Sequence, residues 1–60
     1  MHRREFVERV KREAALPSDR RAEMVVDAVF GALKEQLSPG EVDDIEAQLP
    51  RDLKHVWKRA

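Results

Sequence analysis

The side chains with the strongest claim to chemistry are Asp52 and His55, spaced i,i+3 near the end of this 60-residue chain. On a helix that spacing puts a carboxylate and an imidazole on one face, as in the Glu-x-x-His element of di-iron helical bundles. Such sites take several carboxylates and two histidines from different helices. The chain has two histidines in all, His2 and His55, and no cysteine, so thiolate sites and disulfides are excluded. Asp43, Asp44 and Glu46 form the densest acidic cluster. They lack the loop spacing from which calcium-binding oxygens converge, and read as the solvated face of a helix. Ser18 and Ser38 are the only hydroxyl side chains, because Thr and Tyr are absent. Each precedes a helical pattern and is explained as a cap, which leaves no nucleophile with a partnered base. Pro39-Gly40 is turn chemistry and not a phosphate-binding loop. No catalytic, cofactor-binding or metal-ligating residue is therefore assigned, and the chain is expected not to be an enzyme.

A nucleic-acid reading has more behind it. A helix, a tight turn at Ser38-Pro39-Gly40 and a second helix would imitate a helix-turn-helix. The helix in the recognition position, however, carries Glu41, Asp43, Asp44 and Glu46 and no Lys or Arg, which repels phosphate. Two basic surfaces remain: Arg3, Arg4, Lys11, Arg12, Arg20 and Arg21, and the terminal Lys54, Lys58 and Arg59. Interleaved acids weaken both. The charge sums to zero but is unevenly placed. Residues 1–23 carry net +2, residues 24–50 net −5 with Lys34 as the single base, and residues 51–60 net +3. That distribution favours pairing between segments or between subunits.

Four helices must position these groups. Phe6, Val7, Val10 and Ala14 recur at a helical period, giving a first helix over about 3–15. Glu5 with Arg9 and Glu8 with Arg12 stand at i,i+4 in the favourable order. Leu16-Pro17 ends it, since the residue before proline avoids helical ψ. Ser18 or Asp19 opens a second helix over about 18–37, apolar at Ala22, Val25, Val26, Val29, Phe30, Leu33 and Leu37 and widened by Met24, Ala28 and Ala32. Gly31 falls on its polar side, where it costs about 1 kcal/mol against alanine and would permit close approach of another backbone. Ser38-Pro39-Gly40-Glu41 reads as a capping box with proline at the first helical position. The third helix, about 39–48, shares Val42, Ile45 and Leu49 on one face. The fourth, about 50–58, opens at Pro50 and carries Leu53, Val56 and Trp57. Trp57 belongs to the core or to a subunit interface, and the last three residues read as a fraying end. The expected architecture is a single all-α domain of four helices over 1–60, with the second helix as its spine.

Leu37-Ser38-Pro39-Gly40-Glu41, followed by Asp44 and by Gln48-Leu49-Pro50, resembles the bacterial family known as domain of unknown function 2267. The opening Glu5-Phe6-Val7-Glu8-Arg9-Val10, Ala15-Leu16 and the Val29, Leu33, Leu37 ladder fit the same family. The resemblance implies one repeat of a unit that family members often carry twice. It implies no activity, cofactor or catalytic residue.

A chain of this length buries only about 60% of its unfolded surface and usually needs a staple. With disulfides and metal excluded, self-association is the staple left. The expected partner is a second copy, as a homodimer or other homo-oligomer, through Val25, Val29, Phe30, Leu33 and Trp57. No apolar run approaches the roughly 20 residues of a membrane span, and the polar opening from Met1 to Glu5 contains no secretory core. Together with the absence of cysteine, this gives a cytoplasmic expectation. The functional reading is a structural or interaction module, with weak nucleic-acid binding through the Arg/Lys patches as the alternative.

Overall fold

The computed structural model describes residues 2–60, and Met1 of the polar opening lies outside them. The elements are α1 (Arg3–Glu13), α2 (Asp19–Gln36), α3 (Pro39–Gln48) and α4 (Arg51–Arg59), with no strand among the described residues. The all-α, four-helix expectation holds, and the bounds of α3 match it to the residue.

Where the boundaries differ, local hydrogen bonding gives the reason. α1 stops at Glu13 and not at Ala15 because the chain closes a Schellman turn. The Leu16 N–H donates to the Lys11 carbonyl (2.8 Å) and the Ala15 N–H to the Arg12 carbonyl (3.2 Å). This places Ala15 at φ 53, the left-handed region that glycine usually fills. Proline at 17 then bars the helix from resuming. Ser18 caps α2 by accepting from the Arg21 N–H (3.1 Å). The capping box of α3 is complete: Glu41 N–H donates to Ser38 Oγ (3.3 Å), and Ser38 N–H donates to Glu41 Oε1 (2.9 Å). Pro50 is the N-cap of α4 and not its first residue. Its backbone is extended (ψ 151), and its carbonyl accepts from the N–H groups of Leu53 and Lys54 at 2.9 and 3.1 Å.

α2 packs against α1 and α4, and α3 packs against α4. The core is Val7 of α1, Ala22 and Val26 of α2, and Leu53, Val56 and Trp57 of α4. Phe6 and Phe30, both half-buried, extend it as an aromatic row. Phe6 stacks on Phe30 (centroids 6.1 Å apart), and Phe30 meets the edge of Trp57 at 5.1 Å and 68°. Offset and edge-on geometries of this kind favour the ring quadrupoles. Val42 and Ile45 of α3, and Leu49 at its C-cap, are only half-buried, so this short helix leans on α4 without entering the core. The molecule measures 35 × 21 × 17 Å, long in one direction.

Ion pairs stitch the rims of the helix contacts. Arg3 meets Glu23 (2.9 Å), Lys11 meets Asp19 (2.9 Å), Arg59 meets Asp27 (3.0 Å), and Lys58 meets Glu46 (3.6 Å). Glu46 therefore turns to α4 and not to water. On α1 the i,i+4 contact that closes is Arg9 with Glu13 at 4.0 Å; Glu5 with Arg9 and Glu8 with Arg12 do not close. Pairs this exposed contribute about 0–1 kcal/mol each and mainly set the relative placement of helices.

Candidate interaction surface

Chemistry at Asp52 and His55 finds no assembly. His2 Nδ1 approaches Asp52 at 3.4 Å on an exposed rim, while His55 is exposed one turn further on. Among the described residues, no three His, Asp or Glu side chains are grouped so as to hold a metal ion. Ser18 and Ser38 both accept from helix N-termini, so each hydroxyl is in use as a cap. Accepting from Ser38 holds the Glu41 carboxyl below its usual range, with the backbone N–H as the main cause and the side chain second. Lys11 is held above its usual range by its hydrogen bond to Asp19 and then by that charge, with Glu8 a smaller contributor against slight desolvation.

The two basic surfaces are partly consumed internally. Arg3, Lys11, Lys58 and Arg59 each face a carboxylate across a helix contact. Arg4, Arg12, Arg20, Arg21 and Lys54 remain, and they form no ion pair among the described residues. A phosphate-tracking stripe needs several unpaired bases on one face.

Lys34 has a role its sequence position does not announce. Its ammonium crosses from α2 to α4 and donates to the main-chain oxygens of Trp57 (2.8 Å) and Ala60 (2.9 Å). It also stands 5.7 Å from the Trp57 ring centroid. The expected fraying end is thereby held: a cation sits on the C-terminal carbonyls of α4, where the helix dipole is negative. The only signal in the sequence is that Lys34 is the lone base in the acidic middle.

Trp57 is 2% exposed and its indole N–H donates to the Val42 carbonyl (3.2 Å). It does not line a free surface, so it leaves the set of residues expected at a subunit interface. Phe30 is half-buried between Phe6 and Trp57 and contributes little beyond its edge. Of the other residues expected there, two are well exposed. Val29 is 49% and Leu33 47% exposed, and Met24 on the same helix is 57% exposed. Val25 is half-buried; Ala28 and Ala32 are exposed. At about 100° per residue these positions form one continuous apolar arc along α2. The arc stays bare because α1 covers α2 from one side, α4 from another, and α3 lies against α4.

A second apolar feature lies between α1 and the start of α4. Phe6, Val10, Pro50 and Leu53 line an open cleft of about 450 Å³, rimmed by Arg9 and Glu13. Its walls offer almost no polar group to orient a small ligand, and its mouth is wide. The apolar arc of α2 is the stronger candidate surface, being a single rigid element with three large exposed apolar side chains.

The match to known proteins runs the full length of the chain: residues 1–60 fit the family described as "Uncharacterized conserved protein (DUF2267)". The chain belongs to the DUF2267 family. Neither the curated proteins nor the solved structures gave a match. The description of the DUF2267 family names no activity. No helix among the described residues is long and apolar enough to cross a membrane.

Proposed function

We propose that this chain is a structural or interaction module that self-associates through the exposed arc of α2, with no catalytic role. One observation carries the reading: Met24, Val29 and Leu33, three large apolar side chains on one helix, stand about half exposed in a chain of 60 residues. Apolar area left in water costs about 25 cal/mol per Å² relative to burying it. A domain this small has little core to offset that. A second subunit laid on the arc removes it from water and supplies the staple that cysteine and metal do not.

The interface is centred on Val25, Val29 and Leu33, with Ala28 and Ala32 short enough to let a second helix come close. Sedimentation equilibrium or light scattering from micromolar to millimolar concentrations tests it. The expected result is a concentration-dependent rise to twice the chain mass, abolished by Val29→Asp. A wild-type chain that stays monomeric throughout would overturn the reading.

A further inference from the structure

The exposed arc carries opposite charges at its two ends. Arg21, Val25, Ala28, Ala32 and Glu35 are spaced by four, three, four and three residues, which keeps them on one stripe of α2. Arg21 and Glu35 are exposed and neither forms an ion pair among the described residues. They lie 14 positions apart, about 21 Å along the helix, with Ala28 midway. Of the other charges on α2, Arg20 also forms no ion pair among the described residues but stands about 100° around the helix from Arg21, and the rest are committed within the chain: Asp19 to Lys11, Glu23 to Arg3, Asp27 to Arg59, and Lys34 to the end of α4.

Resting on the self-association proposed above, we infer that the occupant of the arc is a second copy lying antiparallel about a two-fold axis near Ala28, with Arg21 of each copy beside Glu35 of the other. An isologous two-fold contact requires a self-complementary patch, in which one residue meets a second and the second meets the first. A stripe basic at one end, apolar in the middle and acidic at the other meets that requirement only when reversed. Side by side in the same direction, two such stripes would set Arg21 against Arg21 and Glu35 against Glu35. The reversed arrangement forms two attractions per dimer and sets Met24 of each copy against Ala32 of the other, with Val25 at the edge of the seam. It also selects against the parallel alternative by repulsion.

Charge exchange tests the orientation. Arg21→Glu puts an acid near the N-terminus of α2 and Glu35→Arg puts a base near its C-terminus, and both suit the helix dipole. Neither variant should weaken the fold, which circular dichroism and thermal melting check. Each single variant is expected to raise the dimer dissociation constant about tenfold or more, since two attractions become two repulsions. The double variant Arg21→Glu/Glu35→Arg restores wild-type association in moderate salt. An equimolar mixture of the two single variants is expected to form the heterodimer in preference to either homodimer. A wild-type dimer whose strength ignores the single exchanges, or whose loss the double variant fails to repair, overturns the antiparallel pairing while self-association stands. A wild-type monomer at every concentration fails the self-association reading itself, and this inference with it.

Discussion

Lys34 donates to the Trp57 carbonyl at 2.8 Å and holds its ammonium 5.7 Å from the same residue's ring. One side chain from α2 thus caps the last turn of α4 and sits against the largest residue of the core. A helix of nine residues is too short to hold itself together in water. α4 depends on its buried face and on what satisfies its terminal carbonyls. Lys34 makes the second bond, to Ala60, at 2.9 Å.

Lys34→Met keeps most of the aliphatic stem and removes the donor. The expected cost is about 1–2 kcal/mol, from two charge-assisted hydrogen bonds at a partly solvated helix end. Urea denaturation followed by circular dichroism gives the number. Amide exchange should quicken most in the last turn of α4. An unchanged midpoint with unchanged exchange would remove Lys34 from this role.

Trp57 is the single tryptophan, so its fluorescence reports the core directly. Emission from the folded chain should be blue-shifted and move to the red in one transition on unfolding. Trp57→Phe retains an aromatic edge for Phe30 but loses the indole N–H bond to Val42 and leaves a void. A loss of about 1.5–3 kcal/mol is expected. Trp57→Ala should cost about 3–5 kcal/mol, comparable to the whole stability of a chain this size at roughly 0.05–0.15 kcal/mol per residue. It should therefore unfold the chain.

The corner at Ser38 has a pH signature. Glu41 accepts from the Ser38 N–H, which holds its carboxyl below the usual range in the folded state. A carboxyl whose folded pKa lies below its unfolded one binds fewer protons when folded. Its contribution is therefore fully present above the ordinary glutamate range and is lost as pH falls through the lower, folded-state value. Glu41→Gln keeps an acceptor for the capping box but does not titrate. Wild type should be the more stable at neutral pH, and the gap should close in acid. Ser38→Ala removes the other half of the box and should cost about 1 kcal/mol at neutral pH. A gap between wild type and Glu41→Gln that stays constant from pH 7 to pH 2 contradicts the assignment.

Local chemistry was the legible part of this fold. The capping box names its own residues: serine, proline and a glutamate three positions on permit little else, and α3 runs Pro39–Gln48 as read. Periodicity placed Val7, Ala22, Val26, Leu53 and Val56 facing inward, and they are buried. What the sequence could not supply were relations between helices. Lys34 was counted only as a lone base, since nothing in its neighbours says that the end of α4 lies across from it. Trp57 read as core or subunit interface without a choice between them, because a period of 3.6 gives a face and not what covers that face. Glu46 read as solvent-facing for the same reason. The arc of α2 was visible as an excess of apolar positions, and the packing of α1 and α4 divided it into covered and bare parts.

Gly31 lies inside α2, and a Cβ built on it would come 3.8 Å from the Ala60 main-chain carbon. That is ordinary van der Waals contact, so the end of α4 approaches closely without requiring glycine. Gly31→Ala should raise stability by about 0.5–1 kcal/mol through helix propensity and the reduced freedom of the unfolded chain. Thermal melting measures it. A loss would mean that the approach of Ala60 is tighter than 3.8 Å.

Ala15 presents the opposite exchange. Its φ of 53 satisfies the Schellman turn that ends α1, and the two turn bonds hold it there. An alanine in the left-handed region carries about 1–2 kcal/mol of steric cost that glycine does not. Ala15→Gly relieves that cost but gives the unfolded chain more freedom, which offsets part of the gain. A net stabilisation of about 0.5–1 kcal/mol is expected, read as a higher urea midpoint with an unchanged slope. Ala15→Val should act in the other direction, because a β-branched side chain tolerates positive φ least. If both variants destabilise equally, the end of α1 is set by Pro17 alone and the Schellman turn contributes nothing.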